Sequence, residues 1–315
     1  MNKRKLALSA VAAGNTIFGF SFIFSKMALA VAIPSVLIAT RFLIAFLTLS
    51  LIGFVGRNIQ VDDGEGGKRP LVSFSLKGKP LRNVILLALF QPILYFLFET
   101  YGIIYTSSAF AGTIVAVIPV ASIVTDILIM KSRVASRQVI CAVLSALGVA
   151  ITTIGAEGMK SSALGLLILL GAVCSGALFY VFSKKSGTHF NSLEQTFVMF
   201  AAGSITYTAF ALIQCRGAYR ELILLPLQEP TFVLPVLYLA VMSSVAAFML
   251  LNYGTVRVMV SEAAIFTNLT TVISIIAGVV FLRETFTTFQ MVGAVVILIS
   301  VYMANRTKGK ERGNA

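Results

Sequence analysis

The chain has 315 residues, of which 58% are hydrophobic and only 12% charged, and its formal net charge is +13. A soluble protein carries about 25% charged residues, so this chain lacks the side chains for a polar shell and its apolar surface calls for lipid. The positive charge sits between apolar segments and not in a basic stretch interleaved with aromatics, which argues for membrane orientation and against nucleic acid as a partner.

A membrane helix needs ~20 mainly apolar residues to cross ~30 Å of hydrocarbon. Ten segments meet that need, at 6–30, 34–54, 83–105, 109–130, 136–155, 163–183, 193–213, 232–253, 262–282 and 286–304. The first follows Lys3-Arg4-Lys5 and is too long for a signal peptide's apolar region, so it reads as an uncleaved helix. The second carries Arg41 inside its apolar run. A polar connector from Arg57 to Arg82 follows, with no apolar period. The third and fourth segments are divided only by the short turn Thr106-Ser107-Ser108. Each segment is expected to be a helix, because a helix satisfies its own backbone in lipid.

Lysine and arginine counts orient the chain. With the N-terminus inside, the cytoplasmic segments hold Lys3, Arg4, Lys5, Arg57, Lys68, Arg69, Lys77, Lys79, Arg82, Lys131, Arg133, Arg137, Lys184, Lys185, Arg257, Arg306, Lys308, Lys310 and Arg312. The outer side holds Lys26, Lys160, Arg216, Arg220 and Arg283. Nineteen against five places both termini and the 57–82 connector in the cytoplasm of a multi-pass cell-membrane protein.

The two halves, 1–155 and 156–315, resemble each other. A shift of 152 brings Phe96 onto Phe248, Tyr101-Gly102 onto Tyr253-Gly254, Ser122-Ile123 onto Ser274-Ile275 and Gln138 onto Gln290. A shift of 158 brings Phe24-Ser25-Lys26 onto Phe182-Ser183-Lys184. Five spans per half is an odd number, so the repeats have opposite orientation. The expected fold is an all-α integral membrane protein with ten transmembrane helices in two inverted five-helix repeats. Inverted repeats are a signature of secondary transporters, whose substrates bind near the midplane between them.

Motifs in the same places are similar to those of the drug/metabolite transporter superfamily, in particular its EamA-like family. They are Phe18-Gly19-x-x-Phe22-x-x-Ser25-Lys26, Pro34-x-x-Leu37-x-x-x-Arg41-x-x-x-Ala45, Pro119, and Leu282-x-Glu284-x-Phe286-x-x-Phe289-Gln290-x-x-Gly293. The chain departs from the family pattern at Phe18 (usually tryptophan), at Ser132 (glutamate in the first half) and at Thr271 (proline in the second). The resemblance implies a central cavity and alternating access without ATP hydrolysis. It leaves the substrate open, because members of the family move amino acids, nucleosides, other metabolites and drugs; the leading reading is a secondary transporter that exports a small organic metabolite (an amino acid, a nucleoside or an amine-like compound). A non-transporting membrane scaffold is the competing class, and a membrane enzyme is third.

No nucleotide-binding loop, zinc-ligand spacing or hydrolytic triad is present, and the chain has one histidine, His189. It is therefore read as a non-enzyme with no cofactor or metal. Gln91, Tyr95 and Glu99 recur at four-residue spacing, which would align them on one helix stripe facing a cavity or another helix; a substrate-lining wall and helix–helix hydrogen bonding are equal readings of it. Asn15, Phe18, Tyr180, Asn252 and Asn268 are further candidates for substrate contact. Interhelical hydrogen bonding is an equal reading for each asparagine. Arg41 and Glu99 should lie at similar depth, which suggests an ion pair or a coupling site. Asp126 is expected to reach toward Lys131 or Arg133, and Lys26 and Lys184 toward opposite interfaces. Ala142, Ala146 and Ala150 form a small-residue edge that permits close packing, within the chain or in a homodimer.

Overall fold

The structure, a computed structural model, describes residues 3–62, 68–70, 74–105, 114–153, 162–282 and 287–305. The turn at 106–108, the glutamate Glu284, the outer residue Lys160 and the basic tail from Arg306 lie outside the described residues, as do the side chains of Phe22, Lys26 and Gln290.

The described residues form ten helical rods. They are α1 (Lys3–Leu29), α2 (Pro34–Asn58), α3 (Arg82–Ala88, Leu89–Leu94 and Tyr95–Tyr105), α4 (Ile118–Leu128) and α5 (Ser136–Thr153) in the first half. The second half has α6 (Ala163–Ser186), α7 (Ser192–Gln214), α8 (Pro230–Tyr238, Leu239–Ala246 and Ala247–Thr255), α9 (Val260–Ile265, Phe266–Asn268 and Leu269–Leu282) and α10 (Thr288–Asn305). Within the 57–82 connector, β1 (Gln60–Asp62) pairs antiparallel with β2 (Lys68–Pro70), Gln60 opposite Pro70. Helix starts follow their local chemistry. Pro34 opens α2, where its missing N–H costs nothing. Asn191 and Glu194 cap α7 reciprocally.

Burial is inside out relative to a soluble protein. Ile205 and Ile213 on α7 are each 73% exposed, whereas Ser145, Ser183, Ser244 and Asn252 are fully buried. Apolar side chains on the outside and hydroxyl groups within are what lipid as solvent demands.

The packing obeys a pseudo-two-fold. Helix α1 lies against α8 and α9, and its counterpart α6 lies against α3 and α4. On the axis, α2 packs on α7, α4 on α9 and α5 on α10. Two close approaches match residue by residue. A Cβ on Gly102 of α3 would meet Leu169 Cδ2 of α6 at 2.5 Å, and one on Gly254 of α8 would meet Val11 Cγ2 of α1 at 2.3 Å. Those four residues are related by the shifts of 152 and 158 that relate the two halves. Helix α5 packs closely on α10, where a Cβ on Gly148 would lie 3.0 Å from the Gly293 carbonyl.

One end of the bundle is clasped. The start of α9, Val258–Glu262, is held by Arg4 of α1, Asp126 of α4, Gln138 of α5 and Lys184 of α6. The start of α1, the end of α4, the start of α5 and the end of α6 therefore share one side with the start of α9, as alternating passes require. Asp126 does not reach for Lys131 or Arg133. It is fully buried, and its Oδ2 accepts from the Ser261 N–H and Oγ–H. Lys184 likewise turns inward, and its Nζ donates to the Val258 carbonyl at 2.6 Å.

Candidate functional site

Helices α3 and α8 both lose regular α geometry midway. In α3 the helix is broken by a kink within Leu89–Leu94, where Gln91 is extended at φ −149°, ψ 121° and Pro92 has no N–H. In α8 the π-turn spans Leu239–Ala246. Shifting the first by 152 puts it on 241–246, so the irregularity is part of the repeat. Such turns leave backbone groups short of partners and recur at functional positions.

Each irregular turn is met by a polar side chain from the opposite half. Tyr207 of α7 donates its hydroxyl to the Ile93 carbonyl in α3 at 2.8 Å. Arg41 of α2 donates through Nε to Ser244 Oγ and through Nη2 to Ser243 Oγ in α8, both at 2.8 Å. Ser21 of α1 donates to the same Ser243 oxygen at 2.7 Å. Rings of Phe42 and Phe96 flank the guanidinium, their centroids 5.7 and 5.6 Å away.

The anticipated stripe on α3 holds over one step only. Tyr95 donates its hydroxyl to Glu99 Oε1 at 3.0 Å, one helical turn away. The extended backbone at Gln91 interrupts the helix, so four-residue spacing does not carry Gln91 onto the same face. Arg41 and Glu99 act on each other electrostatically, but no direct ion pair joins them among the described residues. The two serines hold the guanidinium instead.

The other candidates fall into two groups. Phe18 stacks edge-on with Phe248 at 5.1 Å, and Tyr180 of α6 shares a hydrogen with Thr267 of α9. Both belong to an interior aromatic cluster with Phe42, Phe179 and Phe200. The asparagines are joints between helices. Asn15 receives the Thr270 hydroxyl of α9, mainly on its backbone carbonyl at 3.1 Å. Asn252 of α8 accepts from Ser183 of α6 and donates to Thr196 of α7. Asn268 of α9 donates to Ser145 of α5 and to the Ala116 carbonyl. A cavity of about 590 Å³ opens beside Gly187, His189, Asn191 and Tyr253, and no anticipated site residue lines it.

Sequence reasoning missed Ser21, Tyr207, Ser243 and Ser244. The repeat carried a signal for one of them, since Ser243 falls on Gln91 at the shift of 152.

A family model for EamA-like transporters matches the chain twice, over residues 5–154 and 163–306. The chain belongs to the EamA-like transporter family. An uncharacterized transporter of Bacillus subtilis (strain 168), YcxC, is 33% identical over 293 residues, covering 92% of this chain and 89% of that protein. An uncharacterized transporter of Archaeoglobus fulgidus is 21% identical over 93% of this chain and 96% of its own length. Among solved structures, the crystal structure of a protein 17% identical superposes with a TM-score of 0.73, covering 94% of this chain and 96% of the other. That likeness is one of fold. In this EamA-like chain, the two family matches divide between α5 and α6, as the pseudo-two-fold does.

Proposed function

We propose that the chain is a secondary transporter that exports a small organic metabolite (an amino acid, a nucleoside or an amine-like compound) by alternating access. The moving units are the repeats, 1–155 and 156–315. Both termini are cytoplasmic, and the protein sits in the cell membrane. The observation that carries this reading is the crossed support of the two helix irregularities, the kink in α3 and the π-turn in α8. Tyr207 of the second half serves α3 of the first, and Arg41 of the first half serves α8 of the second. Irregular backbone at membrane depth is tolerated where it is buried in protein or lines a cavity, and in transporters it borders the substrate. Arg41, Tyr95, Glu99, Phe18 and Tyr180 are the residues assigned to that space, with Gln91 at its edge. Asn15, Asn252 and Asn268 are assigned to the walls that hold it.

The test is uptake by the purified protein in liposomes, offered pooled amino acids, nucleosides and amines under an imposed ion gradient. Saturable uptake, competed by unlabelled members of one pool, is the expected result. Absence of flux with every pool and gradient, from protein shown to be folded, would favour a membrane scaffold.

A further inference from the structure

The guanidinium of Arg41 is planar and presents five N–H donors as two usable edges, Nε with Nη2 and Nη1 with Nη2. The first edge is occupied by Ser244 Oγ and Ser243 Oγ, each at 2.8 Å. Ser243 is held in turn by Ser21, so α1, α2 and α8 together fix the plane of the fork. The second edge has no acceptor among the described residues. The rings of Phe42 and Phe96 face the cation but offer no lone pair to its N–H groups. Glu99, the nearby anion, takes its hydrogen bond from Tyr95 instead.

Arg41 is only 8% exposed. A charge withdrawn from water is costly unless it is paired and its donors are satisfied. Serine hydroxyls satisfy donors and supply no counter-charge. The two serines therefore orient the guanidinium without neutralising it, and the edge they leave is the one that matches two oxygens of a carboxylate or phosphate.

We propose that the Nη1–Nη2 edge of Arg41 is the receptor for an oxyanion on the transported metabolite, a carboxylate or a phosphate. This rests on the transporter reading and narrows it, since neutral nucleosides and simple amines carry no such group. Ser243 and Ser244 are positioning residues. They hold the fork edge-on to the ligand and do not touch it. Lysine at this place would keep the charge but could not make two parallel N–H contacts.

The experiment is uptake into proteoliposomes of matched pairs of labelled compounds. One set pairs α-amino acids with their amides, a second pairs short carboxylic acids with primary amides, and a third pairs nucleoside monophosphates with nucleosides. The expected result is flux of oxyanion members in at least one set, with the partners that lack the oxyanion at least ~10-fold slower. Flux in the first two sets assigns a carboxylate, and flux in the third a phosphate. Arg41→Lys should cut that flux by ~10-fold or more at an unchanged melting temperature. If Arg41→Lys does not fold, the selectivity of the wild-type protein still decides. Equal flux within every pair, or flux only of members that lack the oxyanion, would overturn the oxyanion receptor and leave the transporter standing. No flux of any compound would overturn both.

Discussion

Asp126 and Ser261 join the two repeats at the clasped end of the bundle: one carboxylate oxygen of α4 accepts both the backbone N–H, at 3.0 Å, and the hydroxyl, at 2.9 Å, of a residue in the first turn of α9. The acid is fully buried, and its other oxygen, Oδ1, has no hydrogen-bond partner among the described residues. Asp126→Ala would leave two buried donors unmet, at a cost of about 1–3 kcal/mol. Asp126→Asn keeps an acceptor and should cost less. Melting curves in detergent should rank wild type above Asp126→Asn above Asp126→Ala. A reversed order for the two variants would mean that the contact is not what stabilises this end.

The matched glycines make a graded prediction. At Gly102 the obstacle to a Cβ is the end of the Leu169 side chain, which can turn aside. At Gly254 a Cβ would also meet the Ala7 carbonyl at 2.7 Å, and backbone cannot move so cheaply. Both alanine variants should destabilise, with Gly254→Ala at the upper end of about 1–3 kcal/mol and Gly102→Ala below it. Thermal denaturation checks the order.

These pairs show what the sequence made legible. Span positions and the repeat follow from the apolar pattern and the charge alternation, because the bilayer imposes length and the loops carry orientation. The shift of 152 also aligned two helix irregularities that were not foreseen as such. Pro92 stood in plain view, yet laying Gln91, Tyr95 and Glu99 on one stripe assumed unbroken helix through it. Partner choice was hidden. Asp126 was expected at nearby cations and found Ser261, and Arg41 was expected at Glu99 and found Ser243 and Ser244. Hydrogen-bond partners 135 and more than 200 residues away are set by helix packing, which no local spacing reports.

The asparagine joints should behave as structure and not as substrate contacts. Asn252→Ala removes interhelical hydrogen bonds to Ser183 and Thr196, and a longer one to Met199 Sδ. At roughly 0.6 kcal/mol per bond on average in a membrane protein, the loss is about 1 kcal/mol. The variant should melt earlier and keep its apparent substrate affinity. A large rise in the half-saturation concentration at unchanged stability would instead place Asn252 in the binding space.

Topology can be read by labelling. In a background with Cys141, Cys174 and Cys215 replaced by alanine, single cysteines at Gly64 and Arg216 should react with impermeant reagent from opposite faces. Arg216 is a better outer reporter than Gly217, whose φ of 90° would strain a cysteine. Arg216 is exposed. Labelling of both from the same face would contradict ten alternating passes.

Glu99 offers the most direct probe of coupling. It lies near Arg41 without pairing with it, and the ionised carboxylate lowers the potential at the guanidinium, opposing the arrival of a second anion. Around it the other titratable groups are Tyr95 and Tyr207. Free phenols titrate near pH 10 and arginine above pH 12, so within the physiological range the carboxylate is the group able to change charge. Protonating Glu99 leaves Arg41 as the uncompensated charge, so binding of an oxyanion should tighten as pH falls. Glu99→Gln mimics the protonated form and keeps an acceptor for Tyr95, so the protein should fold with a near-normal melting temperature. Its affinity should match that of the wild type at low pH and stay there as pH rises. Arg41→Gln together with Glu99→Gln should bind weakly at every pH. The readout is half-saturation concentration against pH in proteoliposomes for wild type, single and double variants. A wild-type pH profile that persists unchanged in a stable Glu99→Gln protein would remove Glu99 from the coupling role.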